Sequence, residues 1–181
     1  MDGLAFARDL GMPLNTHLII HWGGTLAGDD PDGELFAKLR YLLDKRFRRK
    51  YGIELTAILV RERHRNKQTR QSSEVTHSHL LLHLPSQCRS MARRDVDELV
   101  AVVAGQVLDD RTVKLTFPAN CDGKYFLKGG TLAAWRAFNR PEKWHSRLGE
   151  GVIDGKRCGT TQNIGPAARA RQCALLREVA A

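Results

Sequence analysis

Glu74-Val75-Thr76-His77-Ser78-His79-Leu80-Leu81-Leu82-His83-Leu84, closed by Pro85, is the stretch whose reading decides the fold. It reads as a strand, because β-branched and apolar residues crowd a short run and a proline ends it. Side chains alternate across a strand. Leu80, Leu82 and Leu84 therefore point into the expected core, and His77, His79, Leu81 and His83 share the opposite, open face. Residues 54–63, ELTAILVRER, read as the preceding strand, and the two form an antiparallel hairpin across the cation-rich stretch HRNKQTRQSS.

Further upstream, residues 15–22, NTHLIIHW, give the first strand, stopped by Gly23-Gly24. After the loop LAGDDPDG, where Asp30 or Asp32 is placed to cap, a helix is expected over 34–51. Leu35, Leu39, Leu42 and Leu43 form its apolar face, Lys38, Lys45, Arg46, Arg49 and Lys50 its basic one, and Gly52 its stop. Downstream, a helix is expected over 95–104, with Asp95 and Glu98 as a capping box and Val96, Leu99, Val100 and Val103 as its buried stripe. Residues 112–117, TVKLTF, alternate and give a fourth strand, and 122–138 read as helix. Beyond Pro141 the pattern is less regular, up to a terminal helix, AARARQCALLREV, with Pro166 near its start. The order β-α-β-β-α-β-α is the split β-α-β pattern. It predicts an α+β fold with a ferredoxin-like (RRM-like) antiparallel sheet and helices packed mainly on one face.

The 181 residues suit one domain of ordinary size with an appendage, and 42% apolar content suffices for a core. An excess of 29 Lys+Arg over 20 Asp+Glu, net +9, favours a polyanionic partner, nucleic acid first. No apolar run approaches the roughly 20 residues of a membrane span. The opening residues lack the blocks of a secretory signal, so a cytoplasmic location is expected and no membrane partner. Cys88, Cys121, Cys158 and Cys173 form no Cys-x-x-Cys pair and are expected as free thiols.

Two imidazoles side by side on a rigid strand can bind one divalent cation. Glu62, on the neighbouring arm of the hairpin, is the candidate third ligand, with Glu74 as its rival. Two imidazoles and a carboxylate suit Mn²⁺ or Mg²⁺ in the presence of phosphate and leave positions open for substrate oxygens. In GKYFLKGG, Tyr125 and Lys128 share a helix face. A phenol with a free pKa near 10 is a poor nucleophile unless a cation assists it and its target is polarised. The basic segments 45–50, 61–70 and 156–171 are candidates to hold a nucleic-acid backbone. Trp22, Trp135 and Trp144 could stack on bases or lie in the core, and His17, His21 and His83 could sit near the same face.

Taken together, Thr76-His77-Ser78-His79-Leu80-Leu81-Leu82 and the later Tyr125-Phe126-Leu127-Lys128 resemble the HUH endonucleases. More narrowly, they resemble the single-tyrosine replication initiators of rolling-circle plasmids and small circular DNA viruses. Thr16-His17-Leu18-Ile19-Ile20 loosely matches the family's first motif, and Arg61-Glu62-Arg63-His64 the strand that carries a metal-binding Glu. The resemblance spans about residues 15–130. Ser78 departs from it, since the family prefers a bulky apolar residue there.

The resemblance implies a catalytic domain over 15–139 and a basic C-terminal extension over 140–181. It implies metal on His77, His79 and Glu62, Tyr125 as nucleophile and Lys128 as its assistant. Arg61, Arg63, Arg65, Lys67, Arg70 and Lys124 are the expected DNA contacts. The implied activity is nicking and rejoining of single-stranded or hairpin DNA through a 5′-phosphotyrosine. No helicase motif follows, so a host helicase joins DNA among the expected partners. A single-tyrosine transposase or small relaxase would use the same residues. A non-catalytic ferredoxin-like nucleic-acid-binding module would instead expose aromatic pairs on its central strands, and here those slots hold His.

Overall fold

The computed structural model describes residues 2–65, 72–117 and 158–179. Among the described residues the helices and strands run in the order α1 (Asp2–Asp9), β1 (Thr16–His21), α2 (Glu34–Tyr51), β2 (Ala57–Arg65), β3 (Ser72–Leu82), α3 (Arg89–Ala104), β4 (Val113–Thr116), β5 (Cys158–Thr160) and α4 (Pro166–Val179). The five strands form one sheet in the order β4-β1-β3-β2-β5, with every pairing antiparallel. Its first four positions are the ferredoxin-like arrangement, and β5 adds an edge next to β2. The fold is α+β as expected.

Leu18 and Ile20 of β1, Ala57 and Leu59 of β2, and Leu80 and Leu82 of β3 lie on one face. They pack against Phe36, Leu39, Leu43 and Phe47 of α2 and against Val96, Leu99, Val100 and Val103 of α3. The stripe of α2 is thus turned from the expected leucine face. Phe36 and Phe47 are buried, while Leu35 and Leu42 pack at its margin. Ring size explains the change, because a phenyl group removes more area from water than a flanking leucine.

Asp30 serves the start of α2 from a distance. Its two carboxylate oxygens accept the backbone N–H groups of Leu35 and Phe36, each at 3.0 Å. Gly33 occupies the N-cap position with φ +82° and has no side chain to do so. A Cβ there would also lie 2.5 Å from the Arg61 guanidinium carbon, so both backbone and space require glycine.

Three further features depart from expectation. The helix expected to begin at Asp95 begins six residues earlier, at Arg89, so Asp95 lies in mid-helix and forms no capping box. Its carboxylate instead receives Arg46, Lys50 and the Tyr51 hydroxyl from α2. The N-terminal helix α1 and the edge strand β5 have no counterpart in the sequence reading. Finally, the face opposite the main core is not fully open. At one end Leu81 is buried with Ala7, Leu14 and Ile164, flanked by Leu4, Phe6 and Ile58. Among the described residues no helix is long and apolar enough to cross a membrane.

Candidate metal centre

Register determines what meets on the second face. Residues directly opposite in an antiparallel pair share a side. Glu62 of β2 lies opposite His77 of β3, and Val60 opposite His79. On the other flank His21 of β1 lies opposite His77, and Ile19 opposite His79. The two histidines of the central strand are thus bracketed by a carboxylate on one side and further imidazoles on the other.

The donor atoms converge. His77 Nε2 is 3.3 Å and His79 Nε2 is 3.7 Å from the same Glu62 oxygen, Oε2. One ligand atom from each of Glu62, His77 and His79 lies within 4.8 Å of the others, and all three residues are buried. Metal–ligand bonds of about 2.0–2.2 Å hold neighbouring ligand atoms roughly 3–3.6 Å apart, and the two separations from Glu62 Oε2 lie close to that range. Two neutral imidazoles and one carboxylate carry a single negative charge. In a site shielded from water that charge favours a divalent ion. The group could hold a metal ion, with Glu62 facing the pair; the Glu74 side chain lies outside the described residues.

His17 and His21 belong to this cluster. His17 stacks on His79 with ring centroids 5.4 Å apart, and its Nε2 lies 3.2 Å from His79 Nδ1. His21 stacks on His77 at 5.4 Å. The parity of Thr16-His17-Leu18-Ile19-Ile20-His21 carries this information, but only once β1 is known to neighbour β3. His83 lies apart, past the end of β3, with Nδ1 2.9 Å from the Pro13 carbonyl oxygen.

Several expected nucleic-acid contacts are placed elsewhere. Arg61 is next to Glu62, so it points to the helix side of the sheet. There it is 5% exposed and donates to the carbonyls of Asp30 and Pro31 at 2.9 and 2.6 Å. Its expectation as a DNA contact is corrected: the guanidinium braces the loop before α2. Arg63 lies opposite Thr76 and shares that helix-side parity. Arg65 lies opposite Ser72, and its side chain is outside the described residues. The segment 45–50 sits on α2, across the sheet from the histidines, and there Arg46 and Lys50 pair with Asp95 and Arg48 with Asp44 and Glu54. Trp22 is fully buried in the core and offers no stacking surface. Lys67, Arg70, Lys124, Tyr125, Lys128, Trp135 and Trp144 lie outside the described residues.

Comparison of the chain with protein-family models, with characterised proteins and with solved structures found no match.

Proposed function

We propose that the protein is a metal-dependent endonuclease and strand transferase acting on single-stranded DNA through Tyr125, of the kind that opens rolling-circle replication of a plasmid or mobile element. The observation that carries this reading is the convergence of Glu62, His77 and His79 on one buried point of the sheet. The Tyr125 and Lys128 pair that would complete the chemistry rests on the sequence motif.

Glu62, His77 and His79 would hold Mn²⁺ or Mg²⁺, which supplies charge neutralisation at a phosphate when bound. The Tyr125 oxygen attacks phosphorus and forms an O–P bond. The bond from phosphorus to the 3′ oxygen breaks, and that oxygen leaves as a 3′-OH. The 5′ phosphate remains on the tyrosine as a phosphodiester. Lys128, three residues on in the sequence, would favour the phenolate by its charge. Attack by a 3′-OH reverses the exchange and rejoins DNA, and since each step trades one phosphodiester for another, no nucleotide is consumed.

The test is to incubate the chain with Mn²⁺ and a labelled pool of random single-stranded oligonucleotides, then resolve the products on a denaturing gel. Protein-linked DNA is expected with the parent and none with Tyr125→Phe, whose DNA binding persists. An adduct formed by Tyr125→Phe would mean that another group attacks. The double variant His77→Ala, His79→Ala is expected to lose Mn²⁺-dependent adduct entirely.

A further inference from the structure

The nitrogen of His79 turned away from Glu62 is also engaged. His79 Nδ1 lies 3.2 Å from His17 Nε2 in a part-buried contact, and His79 itself is 1% exposed. One hydrogen fits between these two nitrogens, and it can belong to either ring. With a cation on His79 Nε2 that lone pair is committed, so the neutral imidazole must carry its hydrogen on Nδ1. The Nδ1–H then needs an acceptor, and His17 Nε2 stands in its path. His17 must in turn keep its own hydrogen on Nδ1. Without a cation either ring can be the donor.

We infer that His17 is a positioning residue of the metal centre, holding His79 in the tautomer that frees Nε2 for the cation. This rests on the metal-binding reading of Glu62, His77 and His79, but it requires neither DNA nor Tyr125. Outer partners that orient a ligating histidine typically contribute about 10–100-fold to metal affinity.

The experiment is a titration of the full chain with Mn²⁺ alone, followed by the electron paramagnetic resonance signal of the free ion. His17→Leu, which offers no acceptor, should weaken binding about 10–100-fold. His17→Gln presents a carbonyl oxygen to the same N–H and should recover most of that loss. His77→Ala should remove binding. If His17→Leu binds as tightly as the parent while His77→Ala does not bind, the inference about His17 is overturned and the metal centre stands. If the parent fails to bind, or His77→Ala binds like the parent, the metal reading falls and takes this one with it. Should His17→Leu not fold, long-range proton–nitrogen spectra of the Zn²⁺-loaded parent decide the matter. Nδ1–H on His79 is expected, and Nε2–H there overturns the inference.

Discussion

Ser78 shows how much one residue can carry between two others. It separates His77 from His79 and so points the other way, into the main core. There its Oγ accepts the indole N–H of Trp22 at 2.9 Å, with both side chains buried. A bulky apolar residue would leave no room for that ring and would strand the indole N–H. Ser78→Ala is therefore expected to cost about 1–3 kcal/mol, the usual consequence of leaving a buried donor without its acceptor. The loss should appear as a lower urea midpoint with unchanged slope. Mn²⁺ affinity should be unchanged, because Ser78 faces away from the carboxylate and imidazoles. A loss of metal binding in a stably folded Ser78→Ala protein would contradict the strand parity on which the site is built. His-x-His was legible in the sequence because a strand's period is two; the partner of the middle residue was not, because Trp22 comes from another strand end.

At the scale of elements, one buried carboxylate clasps α2 to α3, beside the exposed Arg46–Glu98 pair. Asp95 is fully buried, yet it receives Lys50, Tyr51 and Arg46. Burial alone would raise its pKa, but the hydrogen bonds from Lys50 and Tyr51, the Lys50 charge and the Arg46 bond outweigh it and hold the carboxyl below its ordinary value. Burial and the same carboxylate push the Tyr51 phenol upward. The sign follows: a carboxyl depressed in the folded protein stabilises it above its unfolded pKa, near 3.9, and that contribution is lost as pH falls through the lower folded value. Melting temperature should thus drop between about pH 4 and pH 2 more steeply in the parent than in Asp95→Asn, which has no such group to protonate. Equal slopes would remove Asp95 from the account. The sequence suggested a different role, a cap, because aspartate with glutamate three residues on is common at helix starts. Only the facing helix reveals that three donors await it. A capping carboxylate before α2 was legible because the first helical turn has spare amides, but the choice of Asp30 over Asp32 was not.

Across the whole molecule, the sheet was legible from the element order β-α-β-β-α-β, the split β-α-β pattern. What remained hidden was β5. Three residues, Cys158-Gly159-Thr160, have no apolar rhythm, and their place is decided by β2, about a hundred positions earlier. The same distance effect hid the His17–His79 contact, a diagonal across two strands that needs the register as well as the parity. Charge belongs to this scale as well. With net +9, affinity for single-stranded DNA should fall linearly in log–log terms as salt rises, with a slope of about −0.7 for each phosphate neutralised. Filter binding over a salt series measures it, and a flat line would sever the charge from DNA binding.

The edge strand also sets a schedule for synthesis. Ile58, Leu59 and Val60 find their outer neighbours in Thr160, Gly159 and Cys158. On the ribosome, the backbone beside Glu62 therefore stays bare until residues 158–160 have been made, and a bare edge invites pairing with a foreign strand. Polypeptides released before residue 158 should consequently self-associate in a concentration-dependent way that the 181-residue chain does not share, a difference visible by light scattering.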